Sequence, residues 1–126
     1  MAISQKRSLR KVTGGRYRAF SNKKKHNKGS LPAFTGLGAL SAKQRRTRGG
    51  HVNTFLLSSN IVNVLNPKTR KCQKTELVTV VDSPANRHFV RSNIITRGTI
   101  VETKLGKVKI TSRPGREGSL NAVLIS

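Results

Sequence analysis

The fold class of this chain is decided by the stretch TIVETKLGKVKITS, residues 99–112. Apolar and polar residues alternate on both sides of the pair Leu105-Gly106, and such alternation is typical of half-buried β-strands. Two alternating runs separated by a short glycine-containing turn are the usual signature of a β-hairpin. The stretch therefore predicts two antiparallel strands with their valines and isoleucines on one face.

The register of this hairpin follows from burial. An even turn centred on Leu105-Gly106 keeps the apolar residues together and sets Glu102 opposite Lys109, a favourable cross-strand pair. An odd turn would move Glu102 to the apolar face, so we predict the even register. The same register leaves Lys104 opposite Lys107, either with a phosphate between them or with both side chains reaching into water.

Similar short runs flank the hairpin and are separated by Pro, Gly, Asn and Asp, which favour turns. The segment 84–93 between two of these runs is predicted as an irregular loop or a single helical turn. Seven strands in about 75 residues indicate an all-β fold, a small six- to seven-stranded barrel. The predicted strands are residues 51–57, 60–65, 74–81, 94–96, 99–104, 107–112 and 120–125.

Residues 1–50 have a different composition from the rest of the chain. Val, Ile and Leu are sparse before His51, and paired glycines at positions 14–15 and 49–50 interrupt any long helix. A short helix over 39–48 is the one regular element that we predict there, with Ser41 as its N-cap. We therefore predict a long irregular basic N-terminal extension, residues 1–50, followed by a β-barrel domain, residues 51–126.

The charge distribution indicates the class of partner. The formal net charge is +22, and Glu76 is the first acidic residue of the chain. Like charges repel in a compact protein, so a segment with cations alone needs a polyanion as its neighbour. The phosphate backbone of a nucleic acid is the polyanion that such clusters of Lys and Arg usually bind.

Residues 1–50 offer three kinds of nucleic-acid contact: cations for phosphates, glycine turns that let a backbone approach a phosphate, and a tyrosine between arginines that can stack on unpaired bases. The candidates are Arg7, Arg10, Lys11, Gly14, Gly15, Arg16, Tyr17, Arg18, Lys23, Lys24, Lys25, Arg45, Arg46, Arg48, Gly49 and Gly50.

Catalytic and cofactor signatures are missing from the sequence. The three histidines and Cys72 lack metal-ligand spacing, and neither Gly-Gly turn continues into the Gly-Lys-Ser/Thr ending of a P-loop. We expect no enzyme activity, no catalytic residues, no cofactor, no metal and no small-molecule substrate. No apolar run is long enough for a membrane span, so we expect no membrane partner. A single cysteine fits a reducing compartment, so we expect a cytoplasmic location.

Seven motifs carry a resemblance that covers residues 4–125. They are RSLRKVTGGR (7–16), RGG (48–50), NVLNP (63–67), SPANRH (83–88), NIITRG (93–98), TSRPGREG (111–118) and NAVLI (121–125). Together they strongly resemble the small-subunit ribosomal protein family eight-e of archaea and eukaryotes. The short chain is similar to the archaeal form.

The resemblance implies a structural constituent of the small ribosomal subunit in the cytoplasm, with a basic arm on small-subunit ribosomal RNA (rRNA) and a β-barrel body. The implied partners are this rRNA and neighbouring ribosomal proteins, without catalysis. It also adds two RNA-binding candidates beside a Pro-Gly turn, Arg113 and Arg116.

Two other functions remain open from the residues alone. One is a chromatin-type protein that packages DNA with the same charge. The other is a small ribonuclease that combines His51, His88 and a lysine in acid–base chemistry.

Overall fold

Nine strands and one helical turn form the fold in the computed structural model, which describes residues 8–18 and 31–125. The chain divides between Pro32 and Ala33 into two compact units, and all these elements belong to the second unit. They are β1 (Thr35–Gly36), β2 (Ser41–Arg46), β3 (Val52–Ser58), β4 (Ile61–Asn66), β5 (Lys71–Asp82), α1 (His88–Arg91), β6 (Ile94–Ile95), β7 (Ile100–Thr103), β8 (Gly106–Ile110) and β9 (Asn121–Leu124).

Five strands close into a barrel in the order β4-β5-β7-β8-β9. Neighbouring barrel strands are antiparallel except β4 and β9, which pair in parallel and complete the ring. The Asn63 side chain donates a hydrogen bond of 3.2 Å to the Asn121 side chain across this closing pair. Closure leaves the barrel without free strand edges, which stabilises a small sheet against association with other chains.

The apolar core forms because alternate residues of each strand point into the barrel. Val62 and Val64 of β4 are buried, whereas the alternating residues Asn63 and Leu65 are exposed. Each fully buried Val, Leu or Ile side chain contributes about 1.5–3 kcal/mol to folding. The buried core residues are Leu56, Val62, Val64, Leu77, Val80, Ile95, Val101, Val108, Ile110, Leu120 and Ala122.

The remaining strands form a second sheet in the order β2-β3-β1-β6. This sheet contains two of the seven predicted strands, 51–57 and 94–96. The all-β class with a small barrel is confirmed, but the barrel has five strands because these two pair elsewhere. The helical turn predicted within 84–93 is confirmed as α1.

The register of the β7–β8 hairpin, within residues 99–112, differs from the prediction by two residues. Glu102 pairs with Lys107, and Thr103 pairs with Gly106, so the turn consists of Lys104 and Leu105. The turn still has two residues but lies one position earlier; Gly106 adopts φ 125°, and the Thr103 hydroxyl donates to its carbonyl oxygen at 2.8 Å, which fixes this turn. A shift of two keeps every side chain on its predicted face, so burial cannot distinguish the two registers.

The helix predicted over residues 39–48 is wrong. Residues 41–46 form strand β2, which pairs with β3 from Ser41 opposite Ser58 to Arg46 opposite Val52. The segment SAKQRR has no apolar stripe to hold a helix against a core, whereas β3 offers backbone hydrogen-bond partners. Residues 35–36 and 41–46 therefore form strands where an irregular extension with a short helix is predicted.

The beginning of the second unit is attached to its core. Thr35 is fully buried, and its hydroxyl donates a 2.8 Å hydrogen bond to the carbonyl oxygen of Leu56. The N–H of Ser59 donates to the carbonyl oxygen of Gly36 at 3.1 Å, and Leu37 packs against the core.

The sequence predicts a basic extension over residues 1–50 and a barrel domain over residues 51–126. This division by function stays a prediction.

Candidate nucleic-acid interface

Strand β2 is a fully exposed basic strand at the end of its sheet. All six of its residues are exposed, and three of them are cations, Lys43, Arg45 and Arg46. Because side chains alternate along a strand, Lys43 and Arg45 share one face and Arg46 lies on the other. A strand with this composition contributes no apolar burial, but its pairing with β3 fixes the backbone positions from which its cations extend.

The face with Lys43 and Arg45 also contains an aromatic ring. The guanidinium carbon of Arg45 lies over the Phe55 ring, 5.3 Å from its centroid. In the β2–β3 register Phe55 is opposite Lys43, which leaves it diagonal to Arg45. An exposed cation–π contact of this kind contributes about 0.5–1 kcal/mol and restricts the arginine side chain.

The opposite face of β3 explains why this ring points outward. Leu56 is buried in the core, and its N–H donates to the carbonyl oxygen of Pro114 at 2.8 Å. Successive side chains of a strand point to opposite faces, so burial of Leu56 directs Phe55 away from the core. The core therefore sets the position of the ring under Arg45.

A tight glycine turn connects β2 to β3. The N–H and the hydroxyl of Thr47 both donate to the carbonyl oxygen of His51, at 2.7 and 3.0 Å. Gly49 and Gly50 adopt φ 83° and 84°, which strains any residue with a side chain. Both glycines are exposed, so their backbone can approach a phosphate as the sequence predicts. The segment Arg48–Gly50 is a turn of 3-10 helix.

The first unit contains a second basic turn, within residues 8–18. The N–H of Lys11 donates to the carbonyl oxygen of Gly15 at 2.7 Å, and the N–H of Tyr17 donates to that of Leu9 at 2.8 Å. Gly14 has φ 84°, the left-handed conformation that this turn requires. These bonds form a local hairpin that places predicted RNA-binding residues at its tip.

The side chains of this hairpin also interact with one another. The Arg10 guanidinium donates to the carbonyl oxygen of Gly14 at 3.0 Å, and the Lys11 ammonium lies 5.5 Å from the Tyr17 ring centroid. The predicted stacking of Tyr17 on a base stays a prediction, since Lys11 already contacts this ring. Arg16 and Arg18 are exposed, as are Arg10 and Lys11.

A third basic element follows β8. Arg113 and Arg116 are exposed in a turn in which the N–H of Arg116 donates to the carbonyl oxygen of Arg113 at 2.9 Å. Pro114 is buried and accepts the hydrogen bond from Leu56, so this turn is fixed to β3. Four other candidates lie outside the described residues: Arg7, Lys23, Lys24 and Lys25.

Lys104 has a different environment from the predicted one. It forms an ion pair with Glu76 at 2.6 Å rather than facing Lys107. The hydrogen bond from Lys104 and its positive charge lower the pKa of Glu76. Lys104 and Lys107 therefore do not face each other as predicted, and the predicted phosphate site between them is not formed.

Phe55 is the site residue that sequence analysis misses. Phe55 lies two residues from both Asn53 and Leu57, so these three share one face of β3. This spacing indicates a contact with the cations of β2 only once β2 is known to be a strand that pairs with β3.

Within the described ranges, no three His, Cys, Asp or Glu residues are grouped as metal ligands. None of the helices described here is long and apolar enough to cross a membrane.

Comparison with known proteins gives a consistent result. The family model described as Ribosomal protein S8e matches residues 4–125. The small ribosomal subunit protein eS8 of Methanococcus aeolicus is 45% identical over 127 residues, which cover 100% of this chain and 99% of the relative. The eS8 proteins of Methanosphaera stadtmanae and Nanoarchaeum equitans are each 46% identical, over 99% and 96% of this chain and 99% and 95% of their own lengths.

Proposed function

This chain belongs to the ribosomal protein S8e family, and on that premise we propose that it binds small-subunit rRNA by neutralising crowded phosphates. Members of the family are structural ribosomal proteins rather than enzymes, so the expected lack of catalysis agrees with the assignment. The relatives are named as proteins of the small ribosomal subunit. The proposed location is the ribosome in the cytoplasm, beside other ribosomal proteins.

One observation supports RNA as the direct partner: the exposed cations of β2 lie in a sequence that has no acidic residue before Glu76. An RNA helix carries closely spaced phosphates and condensed counterions, and cations that replace these counterions gain affinity from their release. Arginine pairs with a phosphate through two parallel N–H donors, and lysine acts as a point charge. The strand thus supplies both kinds of contact.

The two structural units have separate roles in this proposal. The barrel-bearing unit fixes the positions of β2, the turn at Gly49-Gly50 and the turn with Arg113 and Arg116. The hairpin of residues 8–18 adds a second group of cations around Gly14. Most of these contacts are with the RNA backbone, so they position the protein on the RNA rather than read its sequence.

Sedimentation through a sucrose gradient tests the assignment. The tagged protein from a lysate should migrate with the small subunit, and ribonuclease treatment should release it. Persistence of a complex after ribonuclease, and its loss after deoxyribonuclease, would favour the DNA-packaging alternative. Cleavage of RNA by the pure protein, lost in His51→Ala or His88→Ala, would favour the ribonuclease.

Salt dependence tests the phosphate mechanism directly. Binding of the pure protein to a small-subunit rRNA transcript should weaken linearly in a plot of log affinity against log salt concentration. Each phosphate contact contributes about 0.7–0.9 to the slope. A slope near zero would contradict phosphate neutralisation even if the protein migrates with the subunit.

A further inference from the structure

We propose that the turn between β4 and β5 is a further phosphate-binding site for rRNA, located on the barrel. The turn spans residues 67–70, and Lys71 follows it directly at the start of β5. This inference rests on the proposed rRNA-binding function and adds a site that is separate from β2 and from the hairpin of residues 8–18. Its basis is a strained arginine, a group of exposed cations and a cleft beside them.

Hydrogen bonds give this turn a defined backbone. The N–H of Arg70 donates to the carbonyl oxygen of Asn66 at 2.8 Å, and the N–H of Lys68 donates to the side-chain oxygen of Asn66 at 3.0 Å. Pro67 favours the same turn because its ring restricts φ. Asn66 and Lys71 pair as the last residues of the two strands. The turn therefore holds its cations at set backbone positions.

Arg70 has an unusual backbone conformation for its residue type. Its φ is 54°, in the left-handed region that residues with a Cβ atom disfavour. Every other positive φ in the described part of the chain belongs to a glycine or to Asn93, and asparagine tolerates this region. Glycine at position 70 would make the same turn without strain. The arginine therefore destabilises the turn, and such strain is typical of positions whose side chain has a function.

The cations of the turn lack partners within the described structure. Lys68, Arg70 and Lys71 are exposed, and among the described residues no ion pair or hydrogen bond forms through their side chains. The next acid along β5 is Glu76, five residues from Lys71, and it is already paired with Lys104. Five residues of a strand span about 16 Å, which exceeds the screening length of about 8 Å at physiological salt. An anion among these like charges would relieve their repulsion.

A cleft beside the turn offers hydrogen-bond donors. Its volume is about 110 Å³, several times the share of one water molecule in the liquid, about 30 Å³, so it has room for a phosphate group. Thr69, Lys71 and Gln73 are among the residues that line it. Their hydroxyl, ammonium and amide groups all donate hydrogen bonds, which phosphate oxygens accept. No acid is present in the described lining, so the cleft suits an anion.

A chain of phosphates fits the turn better than a single anion. Thr69 and Lys71 line the cleft, whereas Lys68 and Arg70 of the same turn lie outside its lining. One phosphate in the cleft would leave these two cations without a partner. The neighbouring phosphates of an RNA strand can contact them, and each contact releases condensed counterions. The turn is therefore assigned to the rRNA backbone.

The first test separates strain from charge at position 70. Arg70→Gly removes both, so its midpoint in chemical denaturation should stay the same or rise, while the full chain should bind a small-subunit rRNA transcript about fivefold more weakly. The slope of log affinity against log salt concentration should fall by about 0.7–0.9. Arg70→Lys retains a cation and should retain the slope. The control Lys109→Gln removes an exposed cation of β8, elsewhere on the barrel, and should leave the slope unchanged.

Directed cleavage of the RNA gives an independent measurement. Cys72 is the only cysteine of the chain, is exposed and follows Lys71 directly, so an iron chelate on its thiol produces hydroxyl radicals beside the turn. In the wild-type complex the chelate should cleave one segment of the rRNA backbone. Arg70→Gly should reduce this cleavage, and Cys72→Ser should abolish it because the chelate has no attachment point.

The proposal is overturned if the bound wild type gives no cleavage from Cys72, if Arg70→Gly keeps its affinity and salt slope, or if Lys109→Gln loses as much as Arg70→Gly. A lower denaturation midpoint for Arg70→Gly would also overturn it, because the arginine would then serve the fold. Weaker incorporation of Arg70→Gly into subunits, with unchanged affinity for the transcript, would assign the turn to a protein neighbour instead. Failure of the wild type to bind the transcript at all would contradict the proposed rRNA binding itself.

Discussion

Strands β2 and β4 are both six residues long, yet different interactions keep each strand in place. β4 has the sequence IVNVLN and buries Val62 and Val64 in the barrel. β2 has the sequence SAKQRR and exposes all six of its residues. Apolar burial holds β4, whereas β2 has only backbone pairing with β3 and the contacts of its long side chains.

This difference separates stability from recognition. A side chain in β4 contributes to folding through the water that it excludes. A cation in β2 contributes little to the free protein, since exposed charges are well solvated and isolated surface interactions are weak. In the proposed function, its contribution comes when a polyanion is bound. Substitutions in the two strands should therefore be detected by different measurements.

The largest expected effect comes from exchanging the two kinds of residue. Val64→Lys places a charge among buried apolar side chains, and we expect a loss of at least about 4 kcal/mol, enough to unfold the free protein. The reverse change, Lys43→Val, should alter stability by no more than about 0.5 kcal/mol. Chemical denaturation followed by circular dichroism measures both. Equal destabilisation by the two changes would contradict the comparison.

The second effect concerns RNA affinity. Replacing Lys43, Arg45 and Arg46 together by alanine should weaken binding to the rRNA transcript about hundredfold and reduce the salt slope by about two to three. Unfolding should be almost unchanged. The matched control carries Lys43→Arg, Arg45→Lys and Arg46→Lys, which keep the charge and should keep the salt slope. An unchanged slope in the alanine variant would show that β2 does not contact phosphates.

A third prediction tests how the two sheets are joined. A Cβ atom at Gly118 would lie 3.0 Å from Thr54 Cγ2 and 3.3 Å from Thr54 Cβ. Gly118→Ala should therefore destabilise the protein by about 1–2 kcal/mol through overpacking. Thr54→Ser removes the crowded methyl group, so the double variant should recover most of the loss. Additive effects in this double-mutant cycle would rule out the contact as the cause.

The smallest effect concerns Glu76. Its pKa is lowered by Lys104, so the ion pair stabilises the fold above the carboxyl group's ordinary pKa, and this contribution disappears as the pH falls through the lowered value. The difference in unfolding midpoint between wild type and Glu76→Gln should be small at neutral pH and should shrink in acid. High salt should also reduce it. A difference that grows in acid would contradict this sign.

The barrel was predictable from the sequence because burial imposes a period of two. Every predicted strand from residue 51 onward is present, since short apolar-rich runs bounded by turn residues mark each one. The decisive hairpin shows the limit, because Glu102 keeps its face whether it pairs with Lys109 or Lys107. β2 was missed because Lys43 and its neighbours have no apolar pattern, and its pairing with β3 is a long-range property of backbone groups.

The candidate interface was predictable in charge but not in geometry. The cations of residues 1–50 are evident from composition alone, as is a turn at Gly49 and Gly50, which the structure shows with positive φ at both glycines. The position of Arg45 over Phe55 depends on a register that the sequence does not reveal. The buried Leu56 at the neighbouring position directs the Phe55 ring outward, so burial in the core determines where the ring lies on the surface.

The parallel pair β4–β9 has a consequence for synthesis. Asn63 and Asn121 are 58 positions apart, and the ring closes only when they meet. Contacts between such distant residues form slowly, because a long loop must be ordered first. As the chain emerges, β2 and its glycine turn are therefore available well before the last barrel strand. The polyanion can be engaged by a nascent chain whose interior is still open to water.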